Sequence, residues 1–251
     1  VLKIYKLSLI TIIGLVALYT FQGYYPEFIA LFSNAFPPLI AGAAVIVSGV
    51  SLERYWRRIS DKFSAIWLYF TCGLFLWFVG EAVWAGYTLI MGVELPYPSA
   101  ADVFWLAGYI PFFIALCSYV RLFGGALTRK TLVLSLAATF TLTIFVAFAL
   151  FIPVLEAGDD PFTTALNIAY PMLDLSLFSV AHLGLLVFWK GKLGKPWLLI
   201  NAAIAVNTFA DIIFSYATVQ GVYYSGHMID VLFQIAYLLF MVAFYVHAKE
   251  F

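Results

Sequence analysis

Apolar positions in this chain fall in long runs. A helix needs about 20 consecutive apolar residues to cross the hydrocarbon core of a bilayer. Eight such runs occur, near 5–22, 33–51, 64–91, 100–121, 130–154, 163–189, 197–219 and 227–248. The first follows Lys3 and Lys6 and has no convincing small-residue cleavage site, so it reads as a retained helix and not a removed signal peptide. No connecting segment is long enough to fold separately, and residues 1–251 read as one membrane domain.

Composition agrees. The 251 residues are 65% hydrophobic and 10% charged, with a mean hydropathy of +1.01, whereas soluble chains carry about 45–50% apolar and about 25% charged residues. Soluble catalytic folds, nucleic-acid binders and disordered tails are thereby excluded, and no nucleic-acid partner is expected. The formal net charge is zero, so no global field selects a polyionic partner. Cys72 and Cys117 lie inside apolar runs and read as small core residues, not a disulfide.

If the spans alternate, all thirteen basic residues lie on one side: Lys3, Lys6, Arg54, Arg57, Arg58, Lys62, Arg121, Arg129, Lys130, Lys190, Lys192, Lys195 and Lys249. The four opposite loops contain none, so the positive-inside rule makes both termini cytoplasmic. The expected fold is all-α integral membrane, multi-pass in the cell membrane. The outer loops carry Tyr24, Tyr25, Tyr97, Tyr223 and Tyr224, which an interfacial aromatic belt would explain.

An internal repeat runs through the spans. Asp102-Val-Phe-Trp-Leu-Ala-Gly-Tyr109 and Asp230-Val-Leu-Phe-Gln-Ile-Ala-Tyr237 share Asp-Val, an aromatic at the fourth position and a closing Tyr. Upstream, Glu81 and Trp84 match Asp211 and Phe214, Gly92 matches Gly221, and Pro38 and Trp56 match Pro171 and Trp189. The chain reads as two parallel four-helix repeats, about 1–122 and 128–248, related by an axis along the membrane normal. Spans one and five have no ionisable residue in their cores and suit the lipid-facing periphery.

Five carboxylates, Glu81, Asp102, Asp174, Asp211 and Asp230, fall in the outer half of the spans with no Lys or Arg to pair with. An ionisable group in a span costs about 2.5–3.5 kcal/mol on insertion scales and is a functional candidate by default. Helical spacing places Asn207 with Asp211, Asp230 with Gln234, and Asn167, Tyr170 and Asp174 on shared faces. An outward polar pocket between the halves would collect these with Trp84, Trp105, Tyr109 and Tyr237, and Trp77 would extend its aromatic wall.

Plainer accounts stand beside this one. Ser99 and Asp102 have the spacing of a helix cap, where a carboxylate suits the free amides and the dipole, and Asp230 also begins a run. Glu81, Asp174 and Asp211 are too deep for capping and would otherwise be carboxyls bonded between helices. His182 reads as a core or interface histidine and His247 as an interfacial one. Residues 53–58 read as a solvated loop with an Arg57–Asp61 helix pair. Hydrolase and phosphate-loop motifs are missing, and no Lys within a span could carry a retinal Schiff base. Glu81, Asp211, His227 and Asp230, with Asp102, could hold a divalent metal, but the spacing is diagnostic of none. No cofactor is indicated.

The segment Pro96-Tyr97-Pro98-Ser99-Ala-Ala-Asp102-Val-Phe-Trp105-Leu-Ala-Gly-Tyr109 resembles a motif of multispan N-terminal membrane regions in bacterial and archaeal signalling proteins. These regions precede diguanylate cyclase, phosphodiesterase or histidine-kinase modules. Ala169-Tyr170-Pro171-Met-Leu-Asp174-Leu resembles their second hallmark and Asp230–Tyr237 a third. The resemblance covers roughly residues 70–245 and implies a sensory role without naming the signal. No output module follows Phe251, so it implies part of a longer protein, or a region that works alone or with a separate cytoplasmic signalling partner.

Three functions follow as expectations. The first is a membrane sensor or ligand-binding module, with membrane lipids around it and a small cationic or amine-bearing ligand or lipid headgroup in the pocket. The second is a proton- or cation-coupled transporter, and the third a metal-dependent intramembrane lipid hydrolase. The reading leans away from an enzyme.

Overall fold

A computed structural model describes residues 2–56, 61–93, 97–122 and 127–250, and all its regular structure is helical. Eight helices in it are long and apolar enough to cross a membrane. In chain order they are α1 (Leu2–Thr20), α2 (Pro26–Trp56), α3 (Asp61–Ala85, continued by a wide turn over Gly86–Met91) and α4 (Ala100–Leu122). Then come α5 (Arg129–Val146) with α6 (Ile152–Glu156), joined by a wide turn into one span, and α7 (Pro161–Phe188), α8 (Gly194–Val219) and α9 (Asp230–Glu250). Helices satisfy their own backbone groups, which lipid cannot do. Pro37, Pro38, Pro111 and Pro171 are carried inside helices, as packed membrane spans tolerate. The helices' number, length and apolar composition fit a multi-pass helical membrane protein.

Six helices close a ring in the order α2, α3, α4, α7, α8, α9 and back to α2. Thus α3 stands opposite α8, and α4 opposite α9. Outside it, α1 leans on α9 and α5 on α7. The best spanning windows of α1 and α5 are only 17% buried, against 61% for α9, so both are peripheral as their lack of ionisable core residues suggested. The outward surface is apolar, with Leu39, Ile46, Val103, Ile110 and Phe148 all exposed.

Glycines let aromatic rings seat against neighbouring backbones. A β-carbon on Gly73 would stand 2.5 Å from the Phe112 ring, and one on Gly108 would stand 2.4 Å from Trp77. Thus α3 and α4 each supply a socket for a ring of the other. Gly184 on α7 receives Trp197 of α8 in the same way.

At the basic end the ring is filled. Trp67, Phe70, Phe112, Phe240 and Phe244 are fully buried there. Among them His247, also fully buried, has Tyr55 of α2 2.7 Å from Nδ1 and Tyr119 of α4 2.7 Å from Nε2. The interfacial reading of His247 is thereby corrected: three helices converge on this ring.

Other local readings change too. Cys72 is exposed and Cys117 half-buried, so neither is a core residue. Glu53–Trp56 form the last turn of α2, not a loop, with Arg54 donating to the Ala248 carbonyl. Arg57, Arg58 and hence the Arg57–Asp61 pair lie outside the described residues, as do Leu95 and Pro96.

Candidate ligand pocket

At the other end the ring opens into a cavity of about 110 Å³. Its lining includes Glu81, Asp102, Asp211 and Asp230 and, among the described residues, no Lys, Arg or His. Each carboxylate takes a tyrosine hydroxyl. Tyr237 of α9 donates to Glu81 of α3 at 2.9 Å, and Tyr109 of α4 makes a longer 3.4 Å bond to Asp211 of α8. Asn207, one turn before Asp211, donates to it at 2.7 Å, as the four-residue spacing requires.

The remaining two acids open helices. Asp102 Oδ2 accepts the Ser99 amide at 2.6 Å and hydroxyl at 3.0 Å, while Oδ1 accepts Tyr170 at 2.7 Å. Asp230 Oδ2 accepts the Gly226 amide at 2.8 Å, and Oδ1 accepts Tyr223 at 2.9 Å. Capping and pocket lining therefore coexist, because a carboxylate has two oxygens and each helix start directs one of them inward.

The shared face of α7 meets α4 and the segment before it. Asn167 accepts Tyr97 at 2.7 Å, Tyr170 donates to Asp102, and Asp174 Oδ1 accepts Tyr109 at 2.9 Å and Asn207 at 3.3 Å. Asp174 is 1% exposed and sits behind the wall. Asp174 Oδ2 and Asn167 Nδ2 are buried without a hydrogen-bond partner among the described residues.

Aromatic rings cover the rest. Trp84 donates to Asn34 at 2.9 Å and lies 6.0 Å from Trp105, and Trp77 donates to the Trp105 carbonyl at 3.0 Å. All three indoles line the cavity, as do Tyr109, Tyr170, Tyr237 and Asn207. Gln234 instead points out of the ring and donates to Tyr19 of α1 at 2.6 Å. His227 accepts the Ile229 amide at 3.2 Å and lies 5.1 Å from the Tyr224 ring. His182 stacks on Phe178 at 5.6 Å. Among the described residues no three His, Cys, Asp or Glu side chains gather as a metal group.

The sequence reading missed Tyr97 and Tyr223 as pocket residues and left them to the interfacial belt. Burial, with Asp102 and Asp211 nearby, pushes the Tyr97 hydroxyl above the ordinary phenol range. Burial and Asp230 do the same to Tyr223, so both stay protonated donors. Asn34 was missed too, although the register that matches Pro38 with Pro171 also matches Asn34 with Asn167.

The arrangement can accept hydrogen bonds from a cationic donor and stack against its stem. Comparison with protein-family models, with characterised proteins and with solved structures finds no match.

Proposed function

We propose that this protein is a membrane-embedded sensor or ligand-binding module. Its acidic, aromatic pocket opens outward between two parallel four-helix repeats, and both termini are cytoplasmic. The observation that carries the reading is the cavity itself: four carboxylates from opposite sides of the ring, each held by a phenol, with no basic side chain among the described residues that line it. Such a site favours a cationic ligand, through charge-assisted hydrogen bonds and ring faces.

The bonding pattern supports the repeat. Tyr109 of the first half reaches Asp211 of the second, and Tyr237 of the second reaches Glu81 of the first. Gly92 and Gly221, matched in sequence, both take left-handed φ values of 64° and 65°. Several residues that carry the resemblance to signalling membrane regions, Tyr97, Asp102, Trp105, Tyr109, Tyr170 and Tyr237, converge on this pocket.

A route for readout runs along α9, which carries Asp230 and Tyr237 at the pocket and His247 at the basic end. A ligand that draws Asp230 or Tyr237 would bias the helix packing around His247. The aromatic filling of the basic end opposes the transporter reading.

The test is a thermal-shift panel of primary, quaternary and alkali cations on the purified full chain. Stabilisation by an organic cation, lost in a folded Glu81→Gln/Asp211→Asn variant, is expected. No stabilisation by any cation, or the same shift in the double variant, would overturn the reading. Cation flux in proteoliposomes would replace it with transport.

A further inference from the structure

We infer that the flank of the bundle between α5 and α8 binds an anionic phospholipid, with an acyl chain in an apolar groove and the phosphate against basic side chains at its end. This site is separate from the cation pocket and does not depend on it. Helix α7 packs against both α5 and α8. Between those two helices lies a groove of about 770 Å³, walled by Leu134, Ala137 and Phe145 of α5, Ala205 and Phe209 of α8, and Phe178 of α7. Its polar lining residues are Thr141 and Thr208, whose hydroxyls donate to the Ala137 and Ile204 carbonyls of their own helices, each at 2.9 Å. The lining therefore presents hydrocarbon, which suits an acyl chain and not a polar solute.

The two ends of the groove differ. Beyond Phe145, Val146, Leu150, Val154, Leu175 and Ile212 form a buried cluster that closes α5 and α6 on α8. At the basic end α5 begins with Arg129 and Lys130, and Lys130 lies four residues before Leu134, on the same face. Lys190 and Lys192 follow α7, and Lys195 lies in the first turn of α8. All five are exposed. The sequence has no Asp or Glu from 103 to 155 or from 175 to 210, while Lys195 stands 3.9 Å from Glu250 of α9 with its side chain 73% exposed.

The dimensions fit one leaflet. From Leu134 to Phe145 α5 rises about 16 Å, and half the hydrocarbon core is about 15 Å. Ser135 donates to the Ser179 carbonyl at 3.1 Å, which sets the register of α5 on α7. From that contact Lys130 lies about 8 Å along α5 and Lys190 about 16 Å along α7 and its turn. The basic groups thus step over about 8 Å, comparable to a headgroup layer of about 5–8 Å. The occupant must be apolar along the groove and anionic at its end, as an acidic bilayer phospholipid is. A second copy of the chain in the same orientation would instead bring like charges together.

The experiment measures binding of phosphatidylglycerol and of phosphatidylcholine of equal chain length to the intact chain in detergent, by native mass spectrometry. Phosphatidylglycerol should bind about tenfold or more tighter. Arg129→Gln/Lys130→Gln should erase most of that preference, whereas Lys3→Gln/Lys6→Gln on peripheral α1 should keep it. Ala137→Phe, at an exposed position that tolerates a larger ring, fills the groove and should weaken both lipids while keeping their ratio. Glycerol phosphate, a headgroup without chains, should not displace the lipid.

Equal affinity for the two lipids, equal loss in both charge variants, or unchanged binding in Ala137→Phe would overturn the site. Displacement by glycerol phosphate would reassign it to a soluble phosphate. A dimer that lipid does not dissociate would reassign the groove to a second copy. The lipid comparison and the glycerol phosphate competition on the unmodified chain decide the matter even where a variant does not fold.

Discussion

Gly80 on α3 controls how closely Trp105 of α4 can lie against it, and so the width of the pocket. A β-carbon at this position would stand 2.5 Å from Trp105 Nε1 and 2.6 Å from Cδ1, where roughly 3.5 Å is needed. In Gly80→Ala the indole must retreat by about 1 Å. The Gly73–Phe112 and Gly108–Trp77 seats hold the two helices together, so the ring can yield only toward the cavity. Overpacking costs about 1–3 kcal/mol, and Gly to Ala within a helix returns about 0.5–1 kcal/mol. The net expectation is a loss of about 0–2.5 kcal/mol with a narrowed pocket.

Two other glycines calibrate the experiment. A β-carbon on Gly49 meets nothing within 4 Å, so Gly49→Ala should gain about 0.5–1 kcal/mol. One on Gly184 would stand 2.1 Å from Trp197, a fully buried ring, so Gly184→Ala should cost about 3 kcal/mol or fail to fold. Reversible unfolding in detergent, followed by tryptophan fluorescence, should rank Gly49→Ala above the parent, Gly80→Ala at or below it and Gly184→Ala last. A stabilised Gly80→Ala with unchanged emission would refute the packing argument.

Tyr237→Phe removes the 2.9 Å donor to half-buried Glu81 and should cost about 1–2 kcal/mol; a double-mutant cycle with Glu81→Gln should be clearly non-additive, and simple additivity would deny the bond. Gly92→Ala and Gly221→Ala each place a β-carbon at φ near 65° and should each lose about 1–2 kcal/mol, read from the same unfolding curves; a pair of neutral variants would contradict these turns. Because the folded state raises the Tyr223 hydroxyl above its ordinary value, its contribution is complete below about pH 10 and is lost as pH rises through the higher folded value. Tyr223→Phe should therefore flatten the alkaline fall in stability, and an unchanged alkaline limb would show that Tyr223 is not buried against Asp230.

Much of the architecture was legible in sequence because lipid imposes so strict a rule. A backbone crossing hydrocarbon must bond to itself, so run length alone marks the spans, and an unpaired carboxylate such as Glu81 stands out by its cost. Shared helix faces were legible as well: Asn207 with Asp211, and Asn167, Tyr170 and Asp174, follow from 3.6 residues per turn. What tertiary structure decided was direction. Gln234 and Tyr237 lie on the same helix, yet one turns out to Tyr19 and the other in to Glu81, because ring closure sets which side of α9 faces the cavity. Tyr97 and Tyr223 look like belt residues in sequence, since only the folded turns carry them back over the helix mouths. His247 looks interfacial until Tyr55 and Tyr119 arrive from helices distant in the chain. Period and hydropathy are local properties of the chain, whereas the partner of a buried polar group depends on which helices pack beside it.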